Sequence, residues 1–172
     1  AMQNSSAPNW EGEDATGSNE NSLNTGPFFD NTQFGSAGGI YMYLETSSGA
    51  TGSSKNLRSG DIDVSALTTP YVEFYYHMFG TDMGTLALDV RDPVLGWTND
   101  IIILTGQQQT SGADPWKKIG AVLPAGYDSI VRFRFRGIRG TGFTSDMSVD
   151  DFSVIEAPAC PDVSSLVANL FQ

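Results

Sequence analysis

The chain has 172 residues, and nine Lys and Arg against twenty Asp and Glu give it a formal net charge of −11. An acidic balance of that size argues against nucleic acid and anionic membrane as partners, since both need a positive field. The single Cys, Cys160, excludes an internal disulfide and a Cys-based zinc site, and no apolar run reaches the ~18–20 residues of a membrane-inserting helix.

Residues 1–38 are dominated by Ser, Asn, Gly, Thr and acidic residues, and read as a long loop pinned to a core by Trp10, Phe28, Phe29 and Phe34. From Gly39 a period of two sets in. Ile40, Met42 and Leu44 alternate with Tyr41, Tyr43 and Glu45, which predicts a half-buried strand. Gly- and Ser-rich turns follow, then Leu57 and the Asp61–Ser65 segment. In 71–79, Val72, Phe74, Tyr76 and Met78 share one face, with Tyr71, Glu73, Tyr75 and His77 on the other. Gly80–Gly84 reads as a turn, and Leu86, Leu88 and Val90 as the next inward set. Ile101–Leu104 is continuously apolar and predicts a strand buried on both faces. Trp116–Leu123, Ile130–Ile138 and Met147–Ile155 supply three more strands. With no amphipathic helix of ten residues, the chain reads as all-β: a two-sheet antiparallel β-sandwich of jelly-roll type over 1–156. Residues 157–172 open with Ala157-Pro158-Ala159-Cys160-Pro161 and read as a linker and the start of a following module in a larger parent protein.

Several segments occur in an order that resembles the MAM domain family of meprins, neuropilin-type proteins and receptor tyrosine phosphatases. They are Thr25-Gly26-Pro27 with Asp30 and Thr32, then Gly39-Ile40-Tyr41-Met42-Tyr43-Leu44-Glu45, then the string from Tyr75-Tyr76-His77-Met78 through Gly80 and Gly84 to Leu86. Gly106-Gln107-Gln108, Trp116, Arg139-Gly140 and the closing Ser145–Ser153 segment, with Asp150-Asp151, complete the set. The chain lacks the paired cysteines of vertebrate members, as a bacterial relative stabilised by its core alone would, and the family's opening Phe-Glu is missing ahead of Trp10. The resemblance implies a secreted or cell-surface, non-catalytic module that contacts protein, homo-oligomerisation included. The alternative from another class is a carbohydrate-binding module on a secreted polysaccharide-degrading enzyme or protease.

The side chains offer no nucleophile–base pair, since His77 is the only imidazole and no third group orients it. A lyase reading of Tyr75, His77 and the arginines lacks any sign that these groups converge. Asp30 with Thr32, and Asp150 with Asp151, are candidate ligands for a structural Ca²⁺ or Na⁺, because hard cations collect carboxylates and carbonyls from distant elements. Strand alternation lets only one of Asp150 and Asp151 point to such a site. Arg132, Arg134 and Arg136 alternate with Val131, Phe133 and Phe135, which lines three guanidinium groups on one sheet face about 7 Å apart, with Arg139 just beyond. They either pair with acids such as Asp89 or Glu73, or fork onto carboxylates or sulfates of an anionic glycan. Tyr71, Tyr75 and Trp97 are the rings available to stack on sugars.

Overall fold

The computed structural model describes residues 9–13, 24–35 and 39–159, so of the expected linker and module start at 157–172, residues 160–172 lie outside the described residues. Among the described residues there are ten strands and no helix. One sheet has the order β1 (Asn9–Glu13), β2 (Tyr41–Glu45), β10 (Met147–Glu156), β5 (Pro70–His77), β8 (Lys117–Val122). The other runs β3 (Ser54–Arg58), β9 (Ile130–Ile138), β6 (Thr85–Asp92), β7 (Gly96–Thr105), and the short β4 (Ile62–Asp63) continues the β3 side of β9. Every pairing is antiparallel. This is the expected two-sheet sandwich.

The period-two pattern explains the core. Phe74, Tyr76 and Met78 from β5 and its end meet Phe133 and Phe135 from β9 across the inter-sheet space, with Leu86, Leu88, Met147 and Val149 filling between them. Phe74 and Phe135 meet edge to face at 4.8 Å, and Phe152 packs on Phe133 at 5.2 Å, the tilted geometries that aromatic quadrupoles favour.

Three elements differ from the sequence reading. Asn9–Glu13 is a strand, not loop: it pairs residue by residue with β2, and the Trp10 indole donates to the Lys55 carbonyl at 3.1 Å. Ser54–Arg58 is also a strand, on the edge of β9, where only Lys55 and Leu57 are partly covered. Ile101–Leu104 is not buried on both faces, because β7 is a sheet edge. Ile102 faces the core while Ile103 is 57% exposed.

The glycine motif is a crossing point. A Cβ at Gly84 would sit 1.9 Å from the Ile138 carbonyl, one at Gly140 1.6 Å from the Asp82 carbonyl, and one at Gly80 2.2 Å from the Thr144 carbonyl. Backbone meets backbone here, so no rotamer change makes room. Gly140→Ala should therefore cost at least about 3 kcal/mol or prevent folding, while Gly60→Ala, with open space around its Cβ and no left-handed φ, should change stability by less than about 0.5 kcal/mol. Urea denaturation of both variants checks this, and equal midpoints would refute it.

Candidate functional site

The outer face of the sheet β3-β9-β6-β7 carries the arginine row, and the row is paired. Asp89, fully buried opposite Arg134, takes Arg134 Nε at 2.8 Å and Arg136 Nε and Nη2 at 3.2 Å, together with the Asp100 N–H at 2.8 Å. Burial works to raise the Asp89 carboxyl, but hydrogen bonds from Arg136, the Asp100 N–H and Arg134 outweigh it and hold it below the usual carboxylate range. Arg136 Nη2 also reaches Asp100 at 2.5 Å, and Arg132 forms a forked pair with Asp61. Glu73, the other expected partner, is on the opposite sheet and pairs with Lys118 at 2.7 Å. Arg139 does not extend the row: it is buried and donates to the Thr46 carbonyl at 2.8 Å. The row's guanidinium groups are thus committed to local acids before any ligand arrives.

Beside that row the β6–β7 hairpin presents an apolar tip, in which the expected Trp97 is joined by Val94 and Leu95, two residues not expected from the sequence. Asp92 Oδ1 accepts the Val94 N–H at 2.6 Å and the Leu95 N–H at 2.8 Å, and Gly96 takes a φ of 82° to turn the chain back. Val94 is left 91% exposed, Leu95 57% and Trp97 36%. The Arg134 guanidinium lies 4.2 Å from the Trp97 ring centroid, so the same cation that pairs with Asp89 also holds the indole. The signal was legible as Asp92-Pro93-Val94-Leu95-Gly96, a turn with two apolar residues at its tip.

On the other sheet, Tyr71 lies over Gly120, where a Cβ would come within 2.4–2.6 Å of its ring and hydroxyl. Lys118 Nζ sits 5.7 Å from the Tyr75 centroid. Val122 and Ile155, paired with Tyr71 on either side, are exposed on that face, while its other end at His77 is covered. His77 is fully buried beneath Trp116, at 5.7 Å between rings; the Asp114 and Ser111 backbone lies near its ring, but neither nitrogen makes a well-formed hydrogen bond, nor does Ser148 Oγ on the residue opposite it. Burial pushes the imidazole down to about 4, against the opposing pull of the Asp114 backbone. No substrate could reach it in this arrangement.

The structure brings residues 30–33 against 150–151. Asp30 Oδ1 accepts the Thr32 and Gln33 N–H groups at 2.9 and 3.0 Å, Asp150 accepts the Asn31 N–H at 3.3 Å, and Asp151 accepts Asn31 Nδ2 at 2.8 Å and the Thr32 hydroxyl at 3.3 Å. Both adjacent acids face the loop, not one, because Asp151 adopts a φ of 47° within a bulge that breaks the alternation. Burial, with the Asp30 and Asp151 charges adding to it, pushes the Asp150 carboxyl up to about 6. Among the described residues, no three of His, Cys, Asp or Glu are placed to hold a metal ion.

A family model described as "MAM domain, meprin/A5/mu" matches residues 1–161. The chain belongs to the MAM family. Its relatives include MAM domain-containing glycosylphosphatidylinositol anchor protein 1 of Gallus gallus, 33% identical over 144 residues, and protein 2 of Mus musculus, 30% identical over 151. These alignments cover 81% and 83% of this chain but only 14% and 15% of those proteins, so the chain spans about one-seventh of their length. The cleaved adhesin domain K1 of Lys-gingipain from Porphyromonas gingivalis W83 superposes with a TM-score of 0.54 at 14% identity, covering 87% of this chain and 91% of that one. Domain K3 of the same protein gives 0.50 at 15% identity, covering 86% and 91%. These two likenesses speak to the sandwich fold. As a MAM domain the chain is an extracellular, adhesion-type module, secreted or at a cell surface.

His77 and Asp150 make opposite demands on acid stability. Below pH 6.5 the unfolded chain protonates His77, while the folded domain refuses the proton until about pH 4, so this group alone removes up to about 3 kcal/mol as pH falls through that window. Folded Asp150 keeps its proton up to about pH 6 but releases it near 3.8 when unfolded, so its contribution is lost as pH rises across the same range, on the order of 1 kcal/mol after solvent screening. In chelator-treated buffer, Asp150→Asn should deepen the loss of stability between pH 6.5 and 4, and His77→Phe should flatten or invert it. Urea midpoints at pH 4, 5, 6 and 7 that shift in parallel for all three proteins would refute both assignments.

Proposed function

We propose that this MAM domain is a non-catalytic recognition module that holds a protein partner at the β6–β7 hairpin tip and the Trp97–Arg134 stack beside it. The observation that carries this reading is the exposure of Val94, Leu95 and Trp97 on a turn already fixed by Asp92. Binding energy at protein interfaces concentrates in Trp, Tyr and Arg anchors that lose little freedom on docking. Trp97 is held by Arg134, and Arg134 by Asp89, so the ordering cost is met within the free domain. The second reading, a glycan platform at Tyr71 and Tyr75, is supported by the Tyr71 ring lying across a glycine, which leaves a flat aromatic surface on the sheet.

A panel of purified extracellular ectodomains and a glycan array, probed with the wild type, separate the two. Leu95→Asp and Trp97→Ala should weaken a protein interaction at least about tenfold while Tyr75→Ala leaves it unchanged. A glycan signal lost in Tyr75→Ala and retained in Leu95→Asp would install the second reading. Sedimentation of the same variants tests self-association as one form of protein contact.

We also propose the Asp30–Thr32–Asp150–Asp151 corner as the place where Ca²⁺ or Na⁺ would bind. Asp150 supports this: burial, and the Asp30 and Asp151 charges beside it, raise its carboxyl, and a cation would offset both. Against it, each carboxylate already accepts protein donors, and among the described residues no three acids are placed to share an ion. Ca²⁺ added after exhaustive chelation should raise the melting temperature of the wild type and not that of Asp151→Asn. An unchanged wild-type melting curve would remove the ion.

A further inference from the structure

The hairpin that presents Val94 and Leu95 also carries a charge that the paired arginine row leaves out. Arg91, the residue before the Asp92 turn cap, stands opposite Trp97 on β7 and opposite Arg132 on β9. Like charges set directly opposite one another oppose strand pairing unless something neutralises them. Asp61 binds only one of the two: it forks onto Arg132, while Arg91 feels its charge without a bond. Asp89 and Asp100 are taken by Arg134 and Arg136. Among the described residues, half-buried Arg91 makes no ion pair or hydrogen bond through its side chain.

A partner that covers Trp97 must also cover Arg91, since residues directly opposite in an antiparallel pair stand about 5 Å apart. Arg91 then loses water with no acceptor from its own chain, and a charge desolvated without a partner opposes binding. That requirement discriminates among partners. A lysine or arginine adds another like charge beside Arg91 and Arg132. A neutral apolar surface leaves the guanidinium unanswered. A densely sulfated chain meets the Asp61 and Asp100 carboxylates, 53% and 48% exposed. One Asp or Glu carboxylate beside an apolar side chain satisfies both halves of the site, accepting two parallel N–H bonds from Arg91 while its neighbour covers Leu95 and Trp97. The net charge of −11 does not forbid such a contact, because exposed charges beyond ~8 Å are largely screened at physiological salt.

We propose that the protein partner seated on the hairpin tip presents an Asp or Glu side chain to Arg91. The proposal rests on the protein-recognition reading and adds the chemistry of the partner at that site. The test is an NMR titration of the full chain, following the Arg91 Nε–H and the Trp97 indole N–H. The probes are capped Gly-Leu-Glu-Leu-Gly, its counterpart with Gln in place of Glu, and a dextran sulfate oligomer.

The Glu peptide should shift both signals, and the Gln peptide should bind at least about fivefold more weakly. Arg91→Lys keeps the charge but loses the fork, and should bring the Glu peptide down to the Gln level, read at the Trp97 indole. Arg58, at the end of β3, is also in no ion pair among the described residues, but β9 and β6 lie between it and β7, so Arg58→Gln should leave the affinity unchanged. A loss in Arg58→Gln without one in Arg91→Lys would overturn the proposal, since the attraction would then be diffuse. Absence of shifts at both signals would also overturn it, as would dextran sulfate shifting Arg91 where the Glu peptide does not. Equal affinities for the Glu and Gln peptides, both lost in Leu95→Asp, would sink the acidic partner and leave the hairpin reading standing. Ectodomain binding that survives Leu95→Asp and Trp97→Ala would sink the hairpin reading itself.

Discussion

The domain depends on one close approach: residues 80–84 cross the 138–146 segment with backbone against backbone. Three glycines permit it, and polar contacts around them fix it. The Asp82 carboxylate accepts the Thr144 hydroxyl at 2.8 Å and the Thr141 hydroxyl at 3.1 Å. Asp146 takes the Thr46 N–H and hydroxyl at 2.8 and 2.7 Å, its own N–H donates to the Thr25 hydroxyl, and Arg139 holds the Thr46 carbonyl. Segments from Thr25, Thr46, Gly80 and Gly140 are thus locked into one corner. Most of the residues that carry the MAM resemblance belong to this corner or to the core beside it. Their chemistry is architectural, which is why a family signature this specific says so little about a ligand.

The arginine row shows how a charge pattern can be legible in sequence while its meaning is not. Alternation with Val131, Phe133 and Phe135 put Arg132, Arg134 and Arg136 on the outer face, and the structure has them there. What alternation could not reveal is that Asp89 is drawn under the row and that Asp100, beyond a register shift in β7, reaches the same cluster. A fully buried carboxylate must be paired, and Asp89 collects three partners. The result is a rigid, nearly neutral patch. It keeps Trp97 in place and contributes little attraction of its own.

Strands made of apolar–polar alternation, such as β5 and β9, were readable because burial imposes the pattern. β1 and β3 were not, since Asn9–Glu13 and Ser54–Arg58 lie at sheet edges and each sends essentially one large apolar side chain, Trp10 or Leu57, toward the core. One anchor in five residues is indistinguishable from a pinned loop. Ile101–Leu104 misled in the opposite direction, because an edge strand tolerates an exposed Ile103 that periodicity counts as core. Arg139 was recoverable. It has the odd parity of Phe133 and Phe135, so strict alternation already turned it inward.

The candidate recognition features gather where the ladders are interrupted. The hairpin tip lies where β6 and β7 turn, and the acid corner lies at the β10 bulge, where β2 has yet to begin. This follows from what the regular parts do. Within the sheets, paired backbone and alternating side chains leave apolar groups inside and self-neutralised charges outside, and neither is available to a partner. At the bulge, Asp151 adopts a left-handed conformation, Asp150 and Asp151 lose their alternation, and Phe152 returns to the core. One extra stretch of unpaired backbone therefore concentrates negative charge and exposes core lining at the same place. A longer β2 would cover that lining. The same constraint that makes the sandwich stable confines recognition to its irregularities, and those are the positions that periodicity in a sequence describes least well.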